Sequence, residues 1–252
     1  MNLTYSDTGS GAPIVLLHAF PLNSAMWVPQ VAELSQSMRV IIPDLRGFGT
    51  SQLNTPPATL DTYALDIITL LNRLGLEQVT IAGLSMGGYV AFAMLRHAPQ
   101  RIARLILADT RAGADSAEAK QGREANAILA EQQGVLAVGN AMLPRLVAAS
   151  ASEALREQIR TIMSYNSAAG VAAALRSMAA RPDSSETIAA ITVPTLIIVG
   201  SEDVLTPPSE AEAMQHLIPH SHLVVIPGAG HLANLEAPEA FNQAILDFVA
   251  TT

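Results

Sequence analysis

Val79-Thr80-Ile81-Ala82-Gly83-Leu84-Ser85-Met86-Gly87-Gly88-Tyr89-Val90-Ala91-Phe92-Ala93-Met94-Leu95 is the stretch that decides the fold of this chain. An apolar run leads into Gly-x-Ser-x-Gly, and a helical pattern follows. A strand, a tight turn and a helix in that order are the context of a nucleophile elbow. The turn forces Ser85 into a strained backbone conformation at a strand tip. Glycines two residues to either side leave room for the chain to reverse. The hydroxyl is expected to project above a sheet, with the positive end of the next helix pointing at it. An ordinary glycine turn is the rival reading, and the flanking strand and helix weigh against it.

Outward from the elbow, short apolar runs alternate with helical patterns. Ile14-Val15-Leu16-Leu17, Val40-Ile41-Ile42, Val79-Thr80-Ile81-Ala82, Leu105-Ile106-Leu107-Ala108, Thr195-Leu196-Ile197-Ile198-Val199 and Leu223-Val224-Val225-Ile226 read as buried strands. They are near-continuous, as parallel strands covered on both faces require. Helical segments lie around 27–36, 60–74, 86–97, 207–217 and 236–250. Strands alternating with helices imply an α/β fold with a mostly parallel sheet flanked by crossover helices.

The alternation breaks between Arg111 and Glu186. That stretch is Ala-rich, has no strand-like run, and is punctuated by Gly113, Gly134, Pro144, Gly170 and Pro182. It reads as a helical insertion, 111–186, between the two parts of a core domain, 1–110 and 187–252. Because it leaves from a strand's C-terminal end, where open α/β sheets bind ligands, a lid is expected rather than plain surface helices.

Composition narrows the function. The chain has 252 residues, half of them hydrophobic, which suits one large α/β domain. A net charge of −8 without a basic run argues against a nucleic-acid partner. Zero cysteines exclude disulfides, thiolate nucleophiles and Cys-based zinc sites. No run approaches the roughly 18 apolar residues of a membrane span, and no signal peptide is visible, so a soluble cytoplasmic protein without a membrane partner is expected. Oligomeric state is left open.

A serine hydroxyl needs a base, and the base needs an orienting group. His231, in Pro227-Gly228-Ala229-Gly230-His231 just after the last strand, is the leading base. His18, which ends the first long strand on the correct face, is its rival. His97 closes the helix after the elbow, and His216, His220 and His222 cluster toward the opposite face. The leading acid is Asp203, in Gly200-Ser201-Glu202-Asp203, with Asp109 at another strand end as rival. Oxyanion donors are expected from the backbone N–H groups of Met86 and Phe20. Trp27, Met142, Leu146 and Leu175, with Phe20 and Met86, are candidates for the acyl pocket. Plain core is an equal reading for each of them.

Taken together these pieces resemble the α/β-hydrolase superfamily. The matching motifs are His18-Ala19-Phe20-Pro21-Leu22, Asp44 to Ser51, Gly83 to Gly88, Val193 to Asp203, and Gly230-His231 followed by Leu235-Glu236-Ala237-Pro238-Glu239. The order Ser85, Asp203, His231 is that superfamily's triad order. Within it the chain is similar to the carboxylesterase and 3-oxoadipate enol-lactonase group. The resemblance implies a sheet of seven or eight strands, with an antiparallel first strand at Leu3-Thr4-Tyr5-Ser6. It assigns the Asp44–Ser51 loop a structural role. Ala19 stands where relatives often carry glycine, and its methyl is expected to tighten the acyl pocket or shift the loop. Relatives that act as haloalkane dehalogenases or epoxide hydrolases have an aspartate at the Ser85 position, so those activities are not expected.

The function expected is hydrolysis of short-chain or aryl esters through an acyl-enzyme on Ser85, with no metal or cofactor. The partner is then a small-molecule ester or lactone. Enol-lactone hydrolysis and cofactor-free perhydrolase or haloperoxidase chemistry use the same triad and stand as alternatives. A ligand sensor without turnover is the reading from another class, and the intact triad weighs against it.

Overall fold

The computed structural model describes residues 2–53 and 58–252. Seven strands form one sheet: β1 (Tyr5–Thr8), β2 (Ala12–Leu17), β3 (Met38–Pro43), β4 (Val79–Leu84), β5 (Ile102–Ala108), β6 (Thr195–Gly200) and β7 (Ser221–Ile226). Their order is β1-β3-β2-β4-β5-β6-β7. β1 runs antiparallel to β3, and the remaining pairs are parallel. The first strand lies two residues later than expected. Thr4 N–H is taken by Ser51 Oγ at 2.8 Å rather than by a neighbouring strand.

The central strands are buried on both faces, as their apolar runs require. Ile14 through Leu17 are fully covered, and every residue of β4 is buried. β7 departs from that expectation. As an edge strand it is buried only at Ile226, and Val225 stays 41% exposed.

Five helices pack around the sheet: α1 (Val28–Leu34), α2 (Leu60–Arg73), α3 (Met86–His97), α9 (Pro208–Leu217) and α11 (Pro238–Thr251). α2 begins at a capping box in which Thr59 and Thr62 bond each other's backbone N–H. It buries Tyr63, Ile67, Leu70 and Leu71, the 3.6-residue stripe of an amphipathic helix. α11 buries Phe241, Ile245 and Phe248 in the same way. Each such side chain contributes roughly 1.5–3 kcal/mol on leaving water. α3 is buried along most of its length. Its glycine and alanine positions let it lie close against the sheet.

Between β5 and β6 the chain forms α4 (Ala117–Gln133), α5 (Val135–Leu146), α6 (Glu153–Ser164), α7 (Ala168–Ala179) and α8 (Ser185–Ala189), with no strand among the described residues. Gly134, at φ 86°, separates α4 from α5. Pro144 does not break the chain there: it sits in the last turn of α5. Gly170 lies inside α7 rather than between helices. The short α10 (Ala233–Glu236) follows β7. No helix among the described residues is long and apolar enough to cross a membrane.

Candidate active site

The elbow forms where the sequence places it. Ser85 sits between β4 and α3 at φ 54°, ψ −111°, a strained conformation for a residue with a side chain. Its N–H bonds Ala108 O at 2.9 Å, and its carbonyl accepts the Thr110 hydroxyl at 2.9 Å. These bonds hold the strain in place. A Cβ on Gly83 would run into the Gly87 carbonyl, and one on Gly87 into the Leu17 carbonyl of β2. The two glycines are therefore required by close backbone approach.

His231 and Asp203 converge on this serine from the loops after β7 and β6. His231 Nε2 lies 2.8 Å from Ser85 Oγ, and His231 Nδ1 lies 2.8 Å from Asp203 Oδ2. With the ring proton on Nδ1, Nε2 is free to accept from the hydroxyl. Asp203 Oδ1 accepts Leu205 N–H at 2.7 Å and Thr206 N–H at 3.0 Å, and Oδ2 accepts Thr206 Oγ1–H at 2.7 Å. Burial opposes ionisation, but the His231 bond and charge and the Thr206 donors outweigh it. They hold the Asp203 carboxyl below the usual carboxylate range.

The rivals are engaged elsewhere. His18 Nε2 accepts Leu45 N–H at 3.0 Å, so its Nδ1–H donates to Ala19 O at 3.0 Å. Burial lowers its pKa to about 4, leaving a neutral ring that ties the Ala19 loop to the loop after β3. Asp109 Oδ1 accepts Gly200 N–H at 2.8 Å and does not reach the His231 ring. Burial, then the nearby Asp203 charge, push its carboxyl well above the usual range. His97 pairs with Asp61 at 3.1 Å, and His216 bonds Glu212 O within its own helix.

The two N–H groups expected as oxyanion donors take no acceptor among the described residues. Met86 opens α3, where an N–H has no intrahelical partner. Phe20 N–H takes no acceptor among the described residues, while its neighbour Ala19 N–H bonds Met26 Sδ at 3.2 Å. The Phe20 loop is held by Asn166, a residue that sequence reasoning missed. Asn166 Nδ2 donates to Pro21 O at 2.7 Å, and its Oδ1 accepts from Gly49 N–H at 2.8 Å and Asn23 Nδ2 at 3.1 Å. An Asn beside Ser167, the N-cap of α7, carries no local signal of that reach. The Asp44 loop is structural, as the resemblance implies: Asp44 accepts Ser24 N–H and Thr50 N–H at 3.0 and 2.9 Å.

A cavity of about 360 Å³ opens over Ser85 and His231, with Phe20, Met142 and Leu175 in its wall. The other pocket candidates lie elsewhere. Trp27 is fully buried against Phe241 of α11, with ring centroids 6.1 Å apart, and is not part of the cavity lining. Leu146 is fully buried and outside the cavity lining, and its carbonyl accepts Leu232 N–H at 3.0 Å. The Met86 side chain and the Ala19 methyl are also fully buried and outside the lining, so Ala19 does not narrow the cavity. Arg111, Arg123 and Arg145 line it and were missed. Arg111 follows a strand's C-terminal end, the same positional signal that singled out Asp203 and His231. Among the described residues no three His, Asp or Glu side chains group as a metal site.

Residues 12–238 match the family model described as alpha/beta hydrolase fold. The chain is similar to a solved thermophilic esterase from Thermogutta terrifontis, at 45% identity and a TM-score of 0.96, covering 99% of this chain and 93% of that one. It is 30% identical to 3-oxoadipate enol-lactonase 2 of Acinetobacter baylyi, over 96% of this chain and 91% of the relative. It is likewise 30% identical to a putative non-heme chloroperoxidase of Synechocystis sp., over 99% and 95%.

Proposed function

The chain belongs to the α/β-hydrolase family, and we propose that within it the protein is a serine hydrolase of small carboxylic esters. The observation that carries this reading is the relay from Ser85 Oγ through His231 to Asp203, with both links at 2.8 Å and both partners of the serine buried.

In the first half-reaction Ser85 Oγ attacks the ester carbonyl carbon while His231 Nε2 takes the hydroxyl proton. The carbonyl oxygen becomes an oxyanion held by Phe20 N–H and Met86 N–H, at the positive end of α3. Each such donor is worth roughly 2.7–4 kcal/mol of barrier. The intermediate then collapses, the C–O bond to the leaving group breaks, and His231 returns the proton to the departing alcohol. In the second half-reaction His231 takes a proton from water, the hydroxide attacks the acyl-enzyme, and Ser85 is released protonated. Asp203 stays ionised and stabilises the imidazolium formed in each half.

The helices of 111–186 act as a cap over the strand ends. Met142 and Leu175 from that segment, with Phe20, supply an apolar surface suited to short-chain or aryl acyl groups. The 45% identity to an esterase favours ester over lactone. The enol-lactonase relative supports lactone hydrolysis as the second reading, since ring opening uses the same steps with the leaving alcohol still tethered. The chloroperoxidase relative is compatible with peroxide replacing water as the acceptor.

The test is a Ser85→Ala variant assayed on phenyl acetate and on a small γ-lactone. Both activities are expected to fall by on the order of 10⁵-fold or more with the folded state intact. The wild type is expected to form a covalent adduct with a fluorophosphonate at Ser85. Full turnover by the alanine variant would overturn the mechanism. A lactone kcat/KM well above that for the ester would transfer the reading to the lactonase.

A further inference from the structure

Asn166 stands in the turn between α6 and α7, and its side chain reaches the loops after β2 and β3. Its backbone N–H is anchored on Met163 O at the end of α6, 3.1 Å away. The buried amide uses both of its ends. Nδ2 donates to Pro21 O at 2.7 Å, and Oδ1 accepts Gly49 N–H at 2.8 Å and Asn23 Nδ2 at 3.1 Å. The same junction is fastened twice more: Asn23 Nδ2 donates to Ile162 O at 3.0 Å, and Ser167 Oγ donates to Gly47 O at 3.1 Å.

The peptide between Ala19 and Phe20 carries the N–H expected to hold the oxyanion. A trans peptide is planar and sets its C=O and N–H on opposite sides, so whatever fixes Ala19 O also aims Phe20 N–H. Ala19 O accepts His18 Nδ1–H and Leu22 N–H, each at 3.0 Å. Past Phe20 the next anchor is Pro21. Proline has no N–H, so its carbonyl is the one backbone group there that can be held, and Asn166 Nδ2 holds it. A structural staple between the helices and the loops is already supplied by Ser167 on Gly47 and by Asn23 on Ile162. The Asn166 bond is the one that lands beside the donor peptide. α7 also puts Leu175 and Met178 in the cavity wall, so the junction that sets this wall also sets the donor.

We propose that Asn166 is a positioning residue for catalysis: through Pro21 it holds Phe20 N–H in register with the oxyanion, so the helical segment between β5 and β6 completes the oxyanion hole. The proposal rests on the serine hydrolase reading, with Phe20 N–H as a donor, and deepens it. Such a donor must meet the oxygen where its charge develops, not where the ground-state carbonyl lies. A small displacement of the loop therefore weakens the transition state and leaves ester binding almost untouched.

The experiment compares Asn166→Asp and Asn166→Ala with the wild type on phenyl acetate, with kcat counted per site labelled by a fluorophosphonate. The aspartate keeps an acceptor for Gly49 and Asn23 but loses the donor to Pro21; the alanine loses all three bonds and brings no charge. In each, kcat is expected to fall by about ten- to a hundred-fold, with KM within about three-fold of wild type. Benzyl trifluoromethyl ketone reads the hole directly. Ser85 Oγ adds to its carbonyl carbon, the hydroxyl proton passes to His231 Nε2, and the carbonyl oxygen becomes the oxyanion. Its inhibition constant is expected to rise by the factor by which kcat/KM falls. The acid limb of the pH profile stays in place, because His231 and Asp203 keep their bonds. Ser167→Ala removes another bond of the same junction and the N-cap of α7. It is expected to lower the urea midpoint while kcat per labelled site stays within about two-fold, as structural loss alone would do.

The positioning role is overturned by kcat per site within about two-fold of wild type in both Asn166 variants, by a loss carried in KM, or by a ketone constant that does not move with kcat/KM. Labelling and phenyl acetate turnover by the wild type separate the two readings. If both are present and the Asn166 variants behave as wild type, only the positioning role fails; if both are absent, the serine hydrolase reading fails and takes that role with it.

Discussion

Glu236 accepts the Gly230 N–H at 2.9 Å, one residue before His231, and its other carboxylate oxygen accepts Ala148 N–H at 2.8 Å, just past α5. One side chain thereby joins the helical segment between β5 and β6 to the loop that carries the base. Burial raises the Glu236 pKa, and the bonds from Ala148 and Gly230 oppose that shift without cancelling it. In Glu236→Gln one of these N–H groups faces an amide NH₂ instead of an acceptor. The expected result is a fall in kcat of about ten-fold, with KM little changed, and a loss of about 1–3 kcal/mol in stability. Steady-state kinetics and chemical denaturation check the two parts. Unchanged kcat with unchanged stability would sink the coupling.

The features that were legible in the sequence are those with a local signature. The runs at Ile14–Leu17 and Val79–Ala82 are apolar without interruption because both faces of those strands are covered. Ser85, Asp203 and His231 each follow a strand's C-terminal end, so position along the chain was enough to predict their convergence. The cavity wall was not legible. Arg123 stands among polar residues of α4 and Arg145 beside Pro144 and Leu146 of α5, and neither neighbourhood carries a signal of a cavity wall. Only the folded arrangement of α4 and α5 brings them to the cavity that Ser85 lines. Trp27 failed for the opposite reason: closeness in sequence to the Phe20 loop suggested the pocket, but a large indole is better buried against Phe241.

His18 and Asp109 flank the site and pull stability in opposite directions with pH. The His18 ring takes a proton at about 4 in the folded protein against 6.5 when free. The stability tied to its neutral form is complete above pH about 6.5 and declines toward pH 4, by up to roughly 3 kcal/mol. Asp109 has a raised pKa, so its contribution is present below the ordinary carboxylate pKa and is lost as pH rises toward the folded value. Relative to the wild type, His18→Gln should therefore remove a positive slope of stability against pH between 4 and 6.5. Asp109→Asn should remove a negative one that sets in above the ordinary carboxylate pKa. Urea denaturation at several pH values measures both slopes, and three parallel curves would contradict the assignment.

Thr206 separates orientation from ionisation at the acid. Its hydroxyl donates to Asp203 Oδ2 at 2.7 Å and lies 3.3 Å from His231 Nδ1. Thr206→Val removes that donor but leaves the Thr206 and Leu205 backbone bonds that position the carboxylate. The carboxylate is then less compensated, so it attracts a proton on the neighbouring imidazole more strongly. The acid limb of the kcat/KM profile is expected to move to higher pH, with the plateau within about ten-fold of wild type. Asp203→Asn removes the charge itself and is expected to cost on the order of 10⁴-fold in kcat, because an amide cannot hold the required tautomer or stabilise an imidazolium. A threonine that served packing alone would lower the plateau or the stability without moving the acid limb, so the displacement of that limb is the decisive reading.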